Sequence, residues 1–232
     1  TLIYGDTNST LAAAIAASKM HIPVAHVEAG LRSFNMKMPE EINRILSDRV
    51  SSLLLCPTDT AVQNLTNEGI TAGVSNVGDV MYDAALHFGD LADQKTDEII
   101  ARYGLHPGGF ALATCHRAEN TDDPARLEQI LQALSRVAND CQVVLPLHPR
   151  TRSCIRDLSL GHYLENIMTL DPVPYLEMLW LEKNANLILT DSGGVQKEAF
   201  FFGVPCVTMR DETEWVETID AGRNILAGVQ AE

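Results

Sequence analysis

Carboxylates and an arginine stand in this sequence where predicted elements end or begin. Asp6 and Glu28 each follow a short apolar run typical of a strand, while Glu40 and Arg44 lie one helical turn apart. The carboxyl ends of parallel strands meet at one edge of a sheet, so we expect Asp6 and Glu28 to point into one crevice. Each residue alone fits a helix cap or a salt bridge. Together they predict an acid–base site, because converging carboxylates shift one another's pKa and suit proton transfer.

A glycine pair in the second half of the chain has the features of an anion-binding turn. Ser192, Gly193 and Gly194 follow the apolar run Leu187–Thr190 and open a predicted helix. Two glycines let backbone N–H groups approach an anion, and the helix N-terminus adds unpaired donors and a positive dipole end. We therefore predict that a diphosphate binds here, with Glu198 one turn further on accepting hydrogen bonds from ribose hydroxyls. A glycine-rich turn without a ligand is the alternative.

Two histidines also follow predicted strands, at the strand ends where open α/β sheets bind ligands. His116 comes after Phe110–Thr114 and is a candidate titrating group or phosphate donor, and His148 comes after Gln142–Leu147. A capped loop with an exposed His–Arg pair, or a structural turn, is the simpler explanation of each motif taken alone.

Apolar runs alternate with stretches of helical periodicity along the whole chain, which predicts parallel β-α-β units. The predicted strands of the first half are Thr1–Tyr4, Val24–Val27 and Leu53–Cys56. Three strands are few for a doubly wound sheet, so we expect further strands upstream of Thr1. A hinge region with a short helix, at residues 77–94, is predicted to join this half to a second α/β series.

Composition argues against several classes of protein. The formal net charge of −14 disfavours a nucleic-acid or anionic-membrane binder, which would carry a basic face. The five cysteines are odd in number and form no CxxC, and the seven histidines form no HxH or HExxH. We therefore expect no disulfide framework, no metal site and a location in the reducing cytoplasm. No apolar run approaches the roughly 20 residues of a membrane helix, and no GxGxxG or P-loop motif occurs.

Taken together, these motifs resemble, in order and spacing, those of the non-hydrolysing UDP-N-acetylglucosamine 2-epimerases. The matching stretches are GDT at 5–7, HVEAGLRS at 26–33, PEEINR at 39–44, GD at 78–79, HRAEN at 116–120, HPR at 148–150, LTDSGGVQKEAFFFGVP at 189–205 and RDETEWVE at 210–217. The resemblance covers nearly the entire chain, and the set is highly specific although no single motif is.

The resemblance implies the α/β architecture of the GT-B glycosyltransferases, with two Rossmann-like domains of which the first is incomplete here. Residues 1–85 are expected to be the C-terminal part of the N-terminal Rossmann-like domain. Residues 86–232 are expected to be a C-terminal Rossmann-like domain that binds UDP and is incomplete at its end. The chain is thus expected to be truncated at both ends, without the family's Gly-Thr-Arg-Pro loop or its closing helices.

The resemblance also implies a reaction. A base removes the proton on C2 of a UDP-N-acetylated sugar while UDP leaves from C1, and UDP then adds back to a 2-acetamidoglucal with reprotonation on the other face. No metal and no cofactor is expected. A protonated His116 or Arg44, together with the glycine turn, is expected to stabilise the departing β-phosphate. The family's catalytic residues fall on Asp6, Glu28, Glu40, Arg44 and His116, and its UDP-binding residues on Ser192, Gly193, Gly194 and Glu198.

Two departures from the common family pattern point to one branch of it. Ala118 stands where the HRREN form has a second arginine, and Trp215 changes the family's TERPE string. The second change resembles the branch that converts UDP-2,3-diacetamido-2,3-dideoxyglucuronate to the mannuronate epimer. A basic residue must then meet the C6 carboxylate of the sugar, and the candidates are Arg150, Arg152 and Arg210.

Other functions remain open from the sequence. Conversion of UDP-GlcNAc to UDP-ManNAc is the alternative epimerisation. A GT-B glycosyltransferase, a hydrolysing sugar-nucleotide enzyme and a non-catalytic UDP-sugar-binding fragment are the alternative classes. The clustered carboxylates favour epimerisation, because glycosyl transfer does not need three of them around C2. We expect a UDP-sugar as the ligand, no nucleic acid or membrane partner, a homodimer, and a role in polysaccharide biosynthesis.

Overall fold

The computed structural model describes residues 1–229 of the chain, which divides into two compact units, Thr1–Val80 and Met81–Glu232. Strands and helices alternate in both units, and every paired strand runs parallel to its neighbour. The α/β class predicted from the sequence is therefore confirmed. The domain boundary predicted at residues 85 and 86 lies inside a helix, Val80–Asp93.

The first unit is built on a four-stranded sheet in the order β1-β2-β3-β4. Its elements are β1 (Leu2–Tyr4), α1 (Asn8–Lys19), β2 (Ala25–Val27), α2 (Pro39–Val50), β3 (Leu53–Cys56), α3 (Asp59–Asn67) and β4 (Val74–Asn76). Thr7 and Thr58 begin α1 and α3, each accepting a hydrogen bond from a backbone N–H of the first turn. The sequence predicted three strands here, and β4 was missed because Val-Ser-Asn at an exposed edge lacks an apolar run.

The second unit is built on a six-stranded sheet in the order β10-β9-β8-β5-β6-β7. It begins with α4 (Val80–Asp93), α5 (Thr96–Tyr103), β5 (Phe110–Thr114), α6 (Ala118–Thr121), α7 (Pro124–Val137), β6 (Gln142–Pro146) and α8 (Pro149–Asp157). After a 3-10 helix (Gly161–Leu164) come β7 (Ile167–Leu170), α9 (Tyr175–Asn184), β8 (Leu187–Thr190), α10 (Gly193–Phe201), β9 (Cys206–Thr208), α11 (Val216–Asp220) and β10 (Asn224–Leu226).

The central strand β5 is buried between apolar side chains on both faces of the second sheet. Phe110 and Leu112 pack into a core with Trp180, while Ala111 and Ala113 face a second core under α7. Alternate residues of a strand point to opposite faces, so a strand covered on both sides reads as a continuous apolar run. Strands β5 and β8 are neighbours in the middle of this sheet, and the candidate nucleotide site lies at their ends.

The predicted hinge region has a different structure. Residues 80–93 form a 14-residue helix, α4, rather than a short one. Its Ala92 is fully buried in the core of the second unit, against the face that holds Phe110. Residues 80–93 therefore form a packed element and not a linker. Among the described residues, no helix combines the length and apolarity needed to cross a bilayer.

Candidate active site

Asp6 and Glu28 lie at the same edge of the first sheet. Strands β1 and β2 pair directly, with Ile3 opposite His26, so the loops after them are neighbours. A Glu28 carboxylate oxygen lies 3.3 Å from the position that a Cβ on Gly5 would occupy, which places it against the loop carrying Asp6. The two loops that carry these carboxylates are thus neighbours at the strand ends.

Glu28 has an unusual backbone. Its φ is 73°, in the left-handed region that favours glycine, and it is one of four described non-glycine residues with positive φ. The strained conformation turns the chain sharply after β2. Residues held in this way occur often at functional sites, so the backbone conformation supports Glu28 as a candidate site residue.

Arg44 is buried and fixes the carboxylate of Asp6. Its Nη2 and Nε lie 2.7 and 3.0 Å from Asp6 Oδ2, and its Nη1 lies 3.0 Å from an oxygen of Glu41. Glu41 is itself fully buried and accepts hydrogen bonds from the backbone N–H groups of Ser33 and Phe34. The buried guanidinium of Arg44 therefore holds the carboxylate of Asp6 in place. The sequence reasoning missed Glu41, although its spacing of three residues from Arg44 was a signal.

Glu40 occupies the first turn of α2 and is half-buried. A helix N-terminus carries a partial positive charge, which stabilises a carboxylate there. The next turn of the same helix carries Asn43, whose Nδ2 donates to the backbone oxygen of Asp6 at 2.8 Å. Helix α2 therefore carries one predicted carboxylate and anchors the loop of another.

A buried ionic network lies beneath this edge of the sheet. The His26 ring is inaccessible to solvent, with Nδ1 at 2.7 Å from Asp48 Oδ1 and Nε2 at 2.8 Å from the carbonyl oxygen of Gly5. Asp48 Oδ2 accepts from Gly30 N and from Arg32 Nη1. Burial opposes the charge of His26, but the hydrogen bond and the charge of Asp48 outweigh it and raise the pKa of the imidazole. The sequence reasoning did not find this network.

The glycine turn of the second unit has the predicted form. Ser192 is the N-cap of α10, and Gly193 and Gly194 form the first turn of that helix. A Cβ on Gly193 would lie only 2.7 Å from Glu214 Oε1 and 3.5 Å from Arg117 Nη2. Only glycine fits this position without displacing a neighbour, and a turn without Cβ atoms is the kind that lets backbone N–H groups approach an anion.

Asp191 ties the glycine turn to the loop that carries His116. Its carboxylate is fully buried and accepts hydrogen bonds from the backbone N–H groups of His116 and Arg117 and from Asn120 Nδ2, at 3.0 to 3.1 Å. The strands that lead to the two loops are linked as well, since the hydroxyls of Thr114 and Thr190 lie 2.6 Å apart. The sequence reasoning quoted Asp191 within the motif without assigning it this role.

His116 is partly exposed, with 41% of its side chain accessible to solvent. Burial lowers the pKa of its imidazole, and Arg117 and His148 lower it further, while Asp191 partly opposes them. The lowered pKa favours the neutral imidazole in the unliganded site. The protonated His116 expected beside the departing phosphate stays a prediction. The rings of His116 and His148 lie 6.2 Å apart, so both predicted histidine motifs meet at the strand ends.

Glu198 lies on α10 next to a second acidic residue. It is 7% exposed, and burial raises the pKa of its carboxyl, against the opposing effects of Glu182 and Lys197. Glu182 on α9 is 1% exposed, and its pKa is raised well above the usual range by burial and by the neighbouring Glu198. Burial therefore favours the protonated form of the Glu182 carboxyl group. The sequence reasoning missed it, because it gave no element to residues 175–184.

The wall beside the glycine turn is made by Trp215 and basic residues. The ammonium of Lys197 lies 4.0 Å from the centre of the Trp215 ring, a cation–π contact, and both side chains are almost fully buried. Arg210 is fully buried and lies 3.2 Å from Glu214. Of the described residues, no three His, Cys, Asp or Glu side chains are grouped so as to hold a metal ion.

The other two candidate arginines are on the surface. Arg150 pairs with Asp122, and Arg152 pairs with Asp171, all with exposed side chains. Of the three candidates, the structure brings Arg210 alone next to the glycine turn, and it does so inside the protein.

The chain is similar to known sequences over its whole length. The whole chain, residues 1–232, matches the profile of the UDP-N-acetylglucosamine 2-epimerases. The chain belongs to the UDP-N-acetylglucosamine 2-epimerase family. It is 61% identical, over 98% of its length, to a UDP-2,3-diacetamido-2,3-dideoxy-D-glucuronate 2-epimerase of Pseudomonas aeruginosa. It is 52% identical, over its full length, to a UDP-N-acetylglucosamine 2-epimerase homolog of Methanococcus maripaludis.

Solved epimerase structures have the same fold. The UDP-GlcNAc 2-epimerase of Methanocaldococcus jannaschii, in complex with UDP-GlcNAc and UDP, matches 99% of this chain with a TM-score of 0.92 at 45% identity. The enzyme of Neisseria meningitidis bound to UDP-GlcNAc matches 99% with a TM-score of 0.91 at 32% identity. The predicted family and the GT-B-type α/β fold are therefore confirmed. The chain spans 63% of the P. aeruginosa relative, 65% of the M. maripaludis relative, and 65% and 64% of the two solved chains.

Proposed function

We propose that the protein containing this chain epimerises C2 of a UDP-N-acetylated sugar. One observation carries the proposal: Glu28 and the Arg44-bound Asp6 stand at one edge of the first sheet, in a member of the epimerase family. Proton removal from C2 needs a positioned base, because a C–H bond next to an acetal carbon is weakly acidic. Carboxylates on two rigid loops, with Glu40 on α2, supply such groups.

In the proposed reaction, a carboxylate takes the C2 proton, and the electron pair of that C–H bond forms the C1=C2 double bond of a glycal. The C1–O bond breaks at the same time, and its electron pair leaves on the β-phosphate of UDP. Return of UDP to C1 and of a proton to the opposite face of C2 gives the epimer. The buried Arg44 keeps Asp6 in one place throughout, which limits the motion that the reaction must organise.

The second unit supplies the other requirement, a site for the departing diphosphate. Gly193 and Gly194 offer backbone N–H groups at the N-terminus of α10, where negative charge is stabilised. Asp191 holds the His116 loop next to this turn, and a neutral His116 can donate a hydrogen bond to phosphate or accept a proton. We propose that Glu198, one helical turn further along α10, accepts hydrogen bonds from the ribose hydroxyls.

We propose UDP-2,3-diacetamido-2,3-dideoxy-D-glucuronate as the substrate, with UDP-GlcNAc as the alternative. The support is the 61% identity to the P. aeruginosa epimerase, whose name carries that sugar. A homodimer and a cytoplasmic location belong to the same proposal. The cysteines of the described residues are free thiols, as suits a reducing compartment. Sedimentation equilibrium of the protein tests the homodimer.

The test is proton exchange at C2. The full-length protein is incubated with each UDP-sugar in D2O, and recovered sugar is examined by NMR and mass spectrometry. We expect deuterium at C2 in both epimers, with faster incorporation into the diacetamido uronate. Sugar passed to an acceptor with its C2–H intact would instead establish a glycosyltransferase. UDP binding without exchange would establish a binding protein.

Glu28→Gln is the matched variant. We expect it to abolish C2 exchange and to leave UDP affinity, measured by calorimetry, unchanged, because the glutamine keeps the shape but cannot take the proton. The control is Glu165→Gln, at an exposed position outside the site, which should exchange at the normal rate. Normal exchange by Glu28→Gln would remove Glu28 from the mechanism.

A further inference from the structure

The hydrogen bonds of His26 decide its charge. The carbonyl oxygen of Gly5, 2.8 Å from Nε2, can only accept, so Nε2 carries a proton. Asp48 Oδ1, 2.7 Å from Nδ1, accepts as well when the carboxyl is ionised. The other oxygen of Asp48 accepts from Gly30 N and Arg32 Nη1, so both oxygens of this carboxyl group act as acceptors. Both ring nitrogens of His26 therefore carry protons.

The charges around His26 support a ring that carries both protons. Asp48 faces it from α2, and Glu28 faces it from the end of β2, so the two anions nearest the ring favour its cationic form. Arg32 shares Asp48 with His26 and also pairs with Glu68 at 2.6 Å, so the two cations His26 and Arg32 lie among three anions, Asp48, Glu68 and Glu28. All of His26 and Asp48 is inaccessible to water, so the pair interacts in a medium of low polarity.

His26 also joins the loops that carry the two carboxylates. Gly5, which accepts the Nε2–H, immediately precedes Asp6 and lies against Glu28. Its own N–H donates to the carbonyl oxygen of Val27 at 3.1 Å, so the loops after β1 and β2 are tied at this residue. The imidazolium thus sits beneath Gly5 and sets how the loop of Asp6 rests on that of Glu28.

We propose that His26, as a buried imidazolium, is a positioning residue for C2 proton transfer, holding the Asp6 and Glu28 loops together through Gly5 and Asp48. This inference rests on the proposed epimerase function, since positioning matters for the reaction those carboxylates perform. The sign of the pH effect follows from the raised pKa of His26. The contribution is fully present below about pH 6.5, the ordinary value, and is lost as pH rises through the native value.

The protonation state is tested without activity. Full-length protein with 15N-labelled histidine is examined by NMR at pH 7, and the His26 signals are assigned by their loss in His26→Gln. We expect two protonated ring nitrogens, retained above pH 6.5, the ordinary pKa of histidine. A single protonated nitrogen, as in a neutral ring that accepts from a protonated Asp48, would overturn the proposal. Because this experiment needs no substrate, it separates failure of the inference from failure of the epimerase function.

The positioning role is tested by splitting turnover from binding. His26→Gln keeps one donor but loses the charge, and we expect its C2 exchange rate to fall about 100-fold, as for a displacement of about 1 Å in a reacting group. UDP affinity should stay unchanged. The control is His21→Asn, an exposed position with φ of 57° that asparagine tolerates. Exchange by His26→Gln at the wild-type rate would refute the role.

A second variant serves if His26→Gln does not fold. Asp48→Asn keeps an acceptor for Nδ1–H but removes the anion that sustains the imidazolium. We expect the alkaline limb of the exchange-rate profile to move to lower pH, because His26 then loses its proton earlier. A purely structural role for the network would lower the rate equally at every pH, and that result would contradict the proposal.

Discussion

Replacing Asp191 by asparagine tests whether one buried carboxylate organises the candidate nucleotide site. Asp191 accepts hydrogen bonds from His116 N, Arg117 N and Asn120 Nδ2. Asparagine keeps one acceptor oxygen and turns an N–H₂ group toward backbone donors. A hydrogen bond to a charged group contributes about 1 kcal/mol more than a neutral one, so three such bonds amount to about 3 kcal/mol of lost stability. We also expect weaker UDP binding, because the His116 loop loses its anchor on the glycine turn.

The assay is urea unfolding followed by tryptophan fluorescence, since Trp180 and Trp215 are both buried in the second unit. With a slope of about 2 kcal/mol per molar urea, a loss of about 3 kcal/mol lowers the midpoint by about 1.5 M. The control is Asp171→Asn, whose carboxylate is exposed and pairs with Arg152 on the surface, and its midpoint should match the wild type. An unchanged midpoint for Asp191→Asn would refute the reasoning.

Two further predictions concern the same unit. Because the pKa of Glu182 is raised, its contribution to stability is fully present below about pH 4.5, the ordinary value, and is lost as pH rises through the native value. The urea midpoint of Glu182→Gln should therefore fall less with rising pH than that of the wild type, and parallel curves for the two proteins would contradict this. Gly193→Ala places a Cβ 2.7 Å from the buried Glu214 Oε1. Calorimetry should show that UDP binds about tenfold more weakly, a loss of about 1.4 kcal/mol in binding free energy. Gly161→Ala, with open space around its Cβ, is the control, and equal affinity of the two variants would be the contrary result.

The sequence predicted the parts of the fold that have a continuous apolar signal. Strand β5 is buried on both faces and reads as an uninterrupted run, so its limits Phe110–Thr114 were predicted correctly. Strand β4 is short and polar at an exposed edge, where the sheet and not the side chains determines its conformation. Helix α9 is buried on several sides and carries Glu177 and Glu182 at buried positions, so it lacks the periodic pattern that marks an amphipathic helix.

The candidate site shows the same division. Asp6, Glu28 and Ser192 could be found because each follows a strand, and parallel strands bring such residues to one edge. The groups that hold them could not be found in this way. Asp48 meets His26 across 22 residues, and such a pairing depends on how α2 packs on the sheet rather than on local spacing. A single sequence contains no record of that packing.

The left-handed backbone of Glu28 has an evolutionary consequence. A residue with a side chain costs about 1 kcal/mol in this region of φ, whereas glycine occupies it freely. Selection for thermal stability alone therefore favours glycine at position 28. The glutamate there needs another source of advantage, and the role in turnover proposed for Glu28 supplies one. Consensus-based stabilisation of this protein should leave that position untouched.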